Sequence, residues 1–296
     1  MRVLSLLCAA LWLCGCAATS PGVTPLPAWQ SPEGRADAQL GQIVELASGR
    51  TLTPQQLLDR LAEAPRLLIG EQHDNPDHHA LQLWLLENLA ARRASGSLLL
   101  EMLNPDQQAR VDALRAALAR GELPELPAAL AWQPGWDWAQ YAALVDWALR
   151  QPAPLWAANL DREEIRRLYA ERPALAGQRS TRAAVSEALL AQIRASHCGL
   201  LPDSQLPAML AVQQQRDRRM AERLRAAPTP AVLIAGAFHA RRDLGVPLHL
   251  EDLGAAEGAR VLILAEVGKP VAAQAADYVW YTAAVPAEDH CARLRR

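Results

Sequence analysis

The sequence lacks a charge excess of either sign, because its formal net charge is only −2 over 296 residues. A chain without a basic field has no electrostatic footprint for DNA or RNA, so a nucleic-acid partner is excluded. Phenylalanine is nearly absent, with Phe238 alone, although tryptophan occurs nine times. No internal repeat or low-complexity tract is visible. The 51% hydrophobic content is enough for one large domain or two modest ones.

The N-terminus lacks an apolar run long enough to cross a bilayer comfortably. Residues 3–13 are apolar and follow Arg2, a pattern typical of a signal peptide. Leu13-Cys14-Gly15-Cys16 then resembles the bacterial lipoprotein box, which predicts a signal peptide over residues 1–15 and acylation of Cys16 with fatty acids such as palmitate. A plain secretory signal is the alternative. Ala17 favours the outer membrane, with the protein facing the periplasm. The small, Pro-rich residues 16–37 predict a flexible tether.

Cysteine becomes scarce once the signal peptide is removed, since Cys16, Cys198 and Cys291 remain. If Cys16 carries lipid, two thiols are left in an oxidising compartment, where disulfides persist. A bridge between Cys198 and Cys291 is one expectation, and two unpaired buried thiols are the other.

The order of apolar runs predicts an α/β domain over residues 38–290. Residues 41–53 form two short strands around Ser48-Gly49, and Thr53-Pro54 begins a helix. Later apolar runs, each separated by helical stretches, predict buried strands at 66–69, 97–100, 154–158, 231–235, 260–265 and 278–282. This alternation is typical of helices that cover a largely parallel sheet. Residues 104–227 are mostly helical and are expected to form a lobe over the carboxyl edge of the sheet, where the strands end.

Polar side chains follow four of the predicted strands directly. Glu71 and His73 follow the first, Glu101 the second, Asn159 the third and His239 the fourth. Because parallel strands end at the same edge, we expect these groups to collect there, where open α/β sheets bind their ligands. The carboxyl edge of the sheet is therefore the predicted site.

Two segments, Gly70–His73 and Gly236–His239, share the form Gly-x-x-His after a strand. One such histidine is more often a hydrogen-bonded structural group. Two of them, joined by Glu71 and Glu101, predict a cluster that suits zinc, manganese or iron. The same groups are also suited to general acid–base chemistry, or to bonding one another.

The helix after the first motif begins with two histidines. We expect His79 to face the site and His78 to face solvent, because His79 lies closer in helical phase to the apolar Leu86. Further along the chain, Arg216–Arg219 is expected to form a solvated helix face, although an arginine there would also suit propionate carboxylates.

The aromatic residues are concentrated at 132–138, followed by Tyr141 and Trp147. The simplest interpretation is a packing element of the core or lobe. The alternative is the wall of a pocket for a flat apolar ligand such as haem. Haem would also need an axial ligand, for which Tyr141, Tyr169 and His197 are the candidates.

Several segments in order resemble the ChaN family, a group of haem-binding lipoproteins of bacterial iron uptake within the wider Tiki, TraB and erythromycin-esterase grouping. These segments are LLIGEQHDNPDHH, LLLEM, W-x-x-x-W-D-W-x-x-Y, AANL, HCGLLP, Q-x-R-D-x-x-MA and IAGAFHARRDLGVP. The resemblance runs from about Gly41 to Tyr281. It implies a three-layer α/β fold, haem handling at the cell envelope, and haem at a dimer contact. It also implies a shared site, made of Glu71, His73, Glu101 and His239.

The function expected from the sequence is that of a lipid-anchored envelope protein that binds haem for iron uptake, without chemistry of its own. Its expected partners are haem, the membrane that holds its lipid anchor, components of a haem-uptake system, and a second copy of the chain on haem binding. The alternative is a metal-dependent hydrolase of peptide or ester bonds, in which the glutamate–histidine cluster and a divalent metal activate water.

Overall fold

The computed structural model describes residues 22–94, 96–289 and 291–292. The strands are β1 (Ile43–Glu45), β2 (Arg50–Leu52), β3 (Arg66–Glu71), β4 (Ser97–Leu100), β5 (Leu155–Ala157), β6 (Ala231–Gly236), β7 (Arg260–Glu266) and β8 (Tyr278–Thr282). The helices are α1 (Pro54–Ala62), α2 (Pro76–Ala90), α3 (Gln108–Ala119), α4 (Leu126–Leu130), α5 (Trp138–Arg150), α6 (Arg162–Glu171), α7 (Ala183–Ser196), α8 (Leu206–Ala226), α9 (Ala237–Ala240) and α10 (Val246–Asp252). The predicted α/β fold is confirmed.

The strands form one sheet in the order β2-β1-β8-β7-β3-β6-β4-β5. From β8 to β5 every neighbouring pair is parallel, and the β1–β2 hairpin joins antiparallel to β8. The hairpin turns at Gly49, whose φ of 70° lies in the left-handed region that glycine adopts without strain. β3, β6, β4 and β5 are neighbours in that order, so the four strands with polar ends lie side by side.

Each face of the sheet carries its own core, because successive side chains of a strand point to opposite sides. Leu67 and Ile69 of β3 pack in a core with α1, α2, α3 and α5. Leu68, between them, belongs to a second core with α8 and α10. All three side chains are fully buried. The result is a sheet between two helical layers, the three-layer arrangement that the resemblance implied.

Two helices start where their sequences predict. Thr53 caps α1 with a complete capping box, in which Thr53 Oγ1 accepts from Gln56 N and the Gln56 side chain accepts from Thr53 N. Asn75 caps α2, with Pro76 in its first turn. The second cap sets the direction in which the chain leaves the strand end at Glu71.

The helical region 104–227 contains α3 to α8 and the short strand β5. Two of its helices reach the carboxyl edge of the sheet. Tyr141 of α5 donates to Glu71 at 2.5 Å, and Asp217 of α8 lies 2.5 Å from His239. Helices α5 and α8 therefore place side chains at this edge, while a lobe formed by the whole of residues 104–227 stays a prediction.

The described part of the predicted tether, residues 22–37, packs on the domain instead of extending freely. The carbonyl of Thr24 accepts from Trp84 Nε1 at 3.0 Å. The backbone N–H groups of Gln30 and Ser31 donate to the Asp77 carboxylate at 2.6 and 3.0 Å. Composition alone suggested flexibility, but each of these polar groups finds a partner on α2.

Cys198 and Cys291 are joined by a disulfide, with Cα atoms 5.6 Å apart. The bridge ties the end of α7 to the C-terminal residues, across 93 positions of sequence. The signal peptide and Cys16 lie outside the described residues. Within the part of the chain that is described, no helix is both long and apolar enough to cross a membrane.

Candidate functional site

The carboxyl edge of the sheet brings Glu71, His73, Glu101 and His239 together. Glu71 ends β3, Glu101 follows β4, and His239 lies in α9 directly after β6. Because β6 lies between β3 and β4, their ends are adjacent. A β-carbon on Gly236 would lie 2.8 Å from His73 Nε2 and 3.7 Å from Glu101 Oε2, so the missing side chain is what lets these groups approach.

Glu71 is a buried carboxylate surrounded by hydrogen-bond donors. Its Oε1 accepts from the Tyr141 hydroxyl at 2.5 Å and lies 2.8 Å from His73 Nδ1. Its Oε2 accepts from Gln82 Nε2 and lies 3.3 Å from His79 Nδ1. Burial raises the pKa of Glu71, but the bonds from His73 and His79 outweigh it and hold the pKa well below its usual range. Glu71 is therefore ionised.

His73 is the exposed member of this group. Its side chain is 41% exposed, and its Nδ1 makes the contacts to Glu71 and, at 3.3 Å, to the Tyr141 hydroxyl. The edge of Trp136 packs against the ring, with centroids 4.8 Å apart. Burial lowers the pKa of His73, but the hydrogen bond to Glu71 and nearby carboxylates raise it above its usual value. Trp136 and Glu71 together hold the orientation of this ring.

Glu101, His239 and Asp217 form a second linked set. His239 Nε2 lies 3.3 Å from Glu101 Oε1, and His239 Nδ1 lies 2.5 Å from Asp217 Oδ1. The other Glu101 oxygen accepts from Gly236 N at 2.8 Å. Burial lowers the pKa of His239, but the charges of Glu101 and Asp217 raise it above the usual value. The set is a carboxylate–imidazole–carboxylate relay.

Asp217 was expected on a solvated helix face, which is wrong, because its side chain is fully buried against His239. Gln213, one turn earlier on α8, also reaches His239 Nδ1 at 3.1 Å. The four-residue spacing of these two polar side chains was the available signal, since positions i and i+4 share a helix face. Gln82 of α2, the buried hydrogen-bond partner of Glu71, was also not predicted from the sequence.

Asn159 bonds to the backbone beside the cluster. Its side-chain amide donates to the Glu101 carbonyl at 2.8 Å, and its Oδ1 accepts from Leu160 N at 2.7 Å. Both contacts are to backbone. Asn159 therefore holds the backbone at Glu101. Its expected place in the pocket stays a prediction.

Both histidines at the start of α2 are buried, so the expectation that His78 faces solvent is wrong. His79 faces Glu71 as predicted and packs edge-on against Tyr141. His78 Nδ1 accepts from Gln72 N at 2.8 Å, and His78 Nε2 contacts Thr282 Oγ1 at 2.9 Å. Burial lowers the pKa of His78 to about 3. It is a neutral structural residue that supports the strand-end turn.

The aromatic cluster mainly packs the lobe. Trp132 contacts Trp138 with centroids 5.0 Å apart, and both pack against the core. Tyr141 is fully buried, with its ring centroid 6.0 Å from that of Trp132. Burial and the Glu71 carboxylate hold the pKa of Tyr141 far above its usual value, which disfavours the phenolate. Trp136 and Tyr141 are members of the cluster that contact the site, through the His73 ring and the Glu71 carboxylate respectively.

Tyr169 and His197 are not joined to the cluster by any contact among the described residues. Tyr169 lies on α6 and is 36% exposed. His197 follows α7, where its Nδ1 lies 2.8 Å from the Ile193 carbonyl. Their expected role as haem ligands stays a prediction.

A pocket of about 480 Å³ lies beside His73. Its lining includes Glu71, His73, Ala237, Phe238, Val271 and Ala272. Phe238 is 52% exposed at this pocket. The pocket thus combines apolar walls with a few placed polar groups, as small-molecule sites do.

The predicted metal cluster gains no support. Across residues 22–94, 96–289 and 291–292, no group of three or more His, Cys, Asp or Glu side chains is arranged to hold a metal ion. The physical reason is visible in the contacts. Glu71 and Glu101 direct their oxygens to protein donors and to their paired histidines.

Three solved structures resemble this fold. ChaN of Campylobacter jejuni, in a structure described as cofacial haem binding, is 28% identical, has a TM-score of 0.74, and covers 81% of this chain and 95% of its own. RRSP, a toxin effector domain from Vibrio vulnificus, is 16% identical with a TM-score of 0.46, and the match covers 84% of this chain and 42% of the RRSP chain. An erythromycin esterase in its open conformation is 14% identical with a TM-score of 0.38, and the match covers 85% of this chain and 85% of the esterase chain. The last two likenesses are too weak to support an argument.

No curated protein sequence matches the chain significantly. The family profile described as haem-binding uptake, Tiki superfamily, ChaN, matches residues 57–250, which is more than half of the 296 residues. The chain therefore belongs to the ChaN family of haem-binding uptake proteins.

Proposed function

We propose that this protein binds haem in the pocket beside His73, as a lipid-anchored envelope protein of iron uptake. Family membership and the likeness to Campylobacter jejuni ChaN support haem as the ligand. A pocket of about 480 Å³ is within the size range of small-molecule and cofactor sites. Its exposed Phe238 and the small residues Ala237, Val271 and Ala272 suit a flat apolar ring.

The observation that carries the proposal is the His73 ring. Its Nδ1 is held by the buried Glu71 carboxylate at 2.8 Å, while the side chain remains 41% exposed. Among the described residues, the ring makes its polar contacts through Nδ1, which leaves Nε2 for a ligand. Histidines that bind metals commonly have the other ring nitrogen bonded to a carboxylate, which fixes the tautomer. His73 is therefore our preferred ligand for haem iron.

Tyr141 is a weaker candidate for the iron ligand. Its hydroxyl donates to Glu71, and the side chain is fully buried. A phenolate 2.5 Å from an ionised carboxylate would be strongly repelled. Tyr169, which is partly exposed, and His197 remain alternatives from the sequence.

A haem titration tests the proposal. The purified mature domain should give a saturable Soret band, and His73→Ala should weaken binding and shift that band. Tyr141→Phe, Tyr169→Phe and His197→Ala, measured in the same way, test the other candidates. Absence of saturable binding by the wild-type protein would contradict haem binding itself. An unchanged band and affinity in His73→Ala would instead remove only the assignment of the ligand.

The lipid anchor is proposed on Cys16, facing the periplasm from the outer membrane. The disulfide between Cys198 and Cys291 supports an oxidising compartment, since such bonds are rare in the cytosol. Incorporation of labelled palmitate by the wild type, and its loss in Cys16→Ser, would test acylation, and membrane fractionation would test location. A dimer on haem binding and transfer to other uptake components are further parts of this proposal. Sedimentation velocity with and without haem tests the dimer.

We do not propose the metal-dependent hydrolase, because no contact among the described residues of the site favours it. Glu71 and Glu101 each engage both oxygens with protein groups.

A further inference from the structure

Helix α8 carries three arginines at positions 216, 219 and 223, whose spacing of three and four residues places them on one face. Arg223 donates to the Ala157 carbonyl at 3.0 Å and lies over the Trp156 ring, at the end of β5. Arg219 pairs with Glu164 of α6 at 2.5 Å. This face of α8 therefore runs along the carboxyl edge of the sheet, and Arg216 lies about one turn beyond Arg219.

Arg216 is held beside the relay of Glu101, His239 and Asp217. Its chain neighbour Asp217 contacts His239, and Gln213, three residues before it, contacts the same ring. Yet Arg216 forms no hydrogen bond or ion pair with any of the described residues, and its Nε is buried without a partner. A buried donor left unsatisfied destabilises the folded state, so such a group calls for an explanation.

Glu101 is not the missing acceptor. Its two oxygens are engaged by His239 Nε2 and by Gly236 N. Burial raises the pKa of Glu101, but the charges of His239, His73 and Arg216 outweigh it and lower the pKa. Arg216 is thus close enough for its charge to lower the pKa of Glu101, although the two side chains form no hydrogen bond or ion pair.

The cations that line the neighbouring pocket are already paired. Arg241 bonds Asp243 at 2.6 Å, and Lys269 bonds Glu266 at 2.6 Å. Arg216 differs from both, since no carboxylate of the described chain bonds it. A guanidinium presents a planar fork of donors that matches the oxygens of a carboxylate or a phosphate.

We propose that Arg216 is an oxyanion-binding residue of this site, which receives a carboxylate or phosphate group of the ligand. If the ligand is haem, the group is a propionate, and that assignment rests on the function proposed above. The same chemistry would also accept a separate small anionic ligand at the relay.

The test compares Arg216→Met with Arg218→Met. Both remove one arginine from α8, but Arg218 is paired with Glu222 at 2.8 Å, so it serves as the matched control. Each protein is titrated with haem, with haem dimethyl ester, and with inorganic phosphate, the last followed by the rise in melting temperature. Arg216→Lys, which keeps the charge but not the fork, replaces Arg216→Met if that variant does not fold.

For a propionate, Arg216→Met weakens haem binding about 10-fold, as expected for one charge-assisted hydrogen bond, while Arg218→Met does not. The dimethyl ester then binds the wild type as weakly as haem binds the variant. For a separate anion, haem affinity is unchanged, but phosphate stabilises the wild type and Arg218→Met and not Arg216→Met. An Arg216→Met protein that keeps both responses overturns the proposal. A wild type that binds no haem overturns the proposed function alone, and the phosphate response still decides the role of Arg216.

Discussion

We predict that His78 makes the free energy of unfolding of this protein fall as the pH is lowered, and that replacing His78 removes this contribution. The ring accepts from Gln72 N at 2.8 Å through Nδ1, which requires a bare nitrogen, and contacts Thr282 Oγ1 through Nε2. Protonation of Nδ1 would remove the first bond and place a charge in a fully buried position. The folded protein therefore favours the neutral form of the ring, and burial lowers the pKa of His78 from 6.5 to about 3.

The magnitude follows from the two pKa values. A histidine whose pKa is lower in the folded state contributes stability above its unfolded pKa, and this contribution is lost as the pH falls toward the folded pKa. Between pH 7.5 and pH 5 the unfolded chain gains most of one proton at this position and the folded chain does not. With about 1.36 kcal/mol per pKa unit, the free energy of unfolding should fall by about 2 kcal/mol from His78 alone.

Urea unfolding of the wild type and His78→Asn from pH 7.5 to pH 5 isolates this contribution. Asparagine retains an acceptor for Gln72 N but has no titrating group. The pKa values of His73, His79 and His239 are raised, so their contributions have the opposite sign, being complete below pH 6.5 and lost at higher pH. Those histidines are present in both proteins and cancel in the difference. A stability difference that stays constant within about 0.5 kcal/mol over this range would refute the reasoning.

Three further outcomes are expected. Tyr141→Phe removes the 2.5 Å bond to ionised Glu71 and should lower the free energy of unfolding by about 2 kcal/mol in urea; no change would mean that water replaces the hydroxyl. Gly236→Ala would put a β-carbon 2.8 Å from His73 Nε2, so haem affinity should fall while circular dichroism stays native; unchanged affinity would argue against His73 as ligand. Cys198→Ser opens a bridge across 93 positions and should lower stability by about 2–4 kcal/mol in thermal unfolding; an equal melting temperature would show that the lobe needs no tie.

The strand and helix positions were largely predictable, because they depend on local pattern. The apolar runs at 66–69 and 231–235 became β3 and β6 with one or two residues added. The Thr53 cap and the Asn75-Pro76 start lie where turn chemistry puts them. The turn at Gly49 follows from the same local rules.

Contacts between residues that lie far apart in the chain were harder to predict from the sequence. Asp217 and Gln82 are ordinary polar residues of helices, and only the packing of α8 and α2 on the sheet turns them toward His239 and Glu71. The burial of His78 depends on β8, which supplies Thr282 from 204 positions away. Residues 22–37 were expected to be flexible because composition carries no information about the donors and acceptors that α2 offers them.

The sequence by itself determined that Glu71, Glu101 and His239 follow buried strands, since hydrophobic periodicity and strand length are properties of short windows. It could not determine the neighbour order β3, β6 and β4, which makes those three strand ends adjacent. Only the tertiary structure decided which oxygen meets which nitrogen, because a hydrogen bond depends on tenths of an ångström between elements whose separation no local rule encodes.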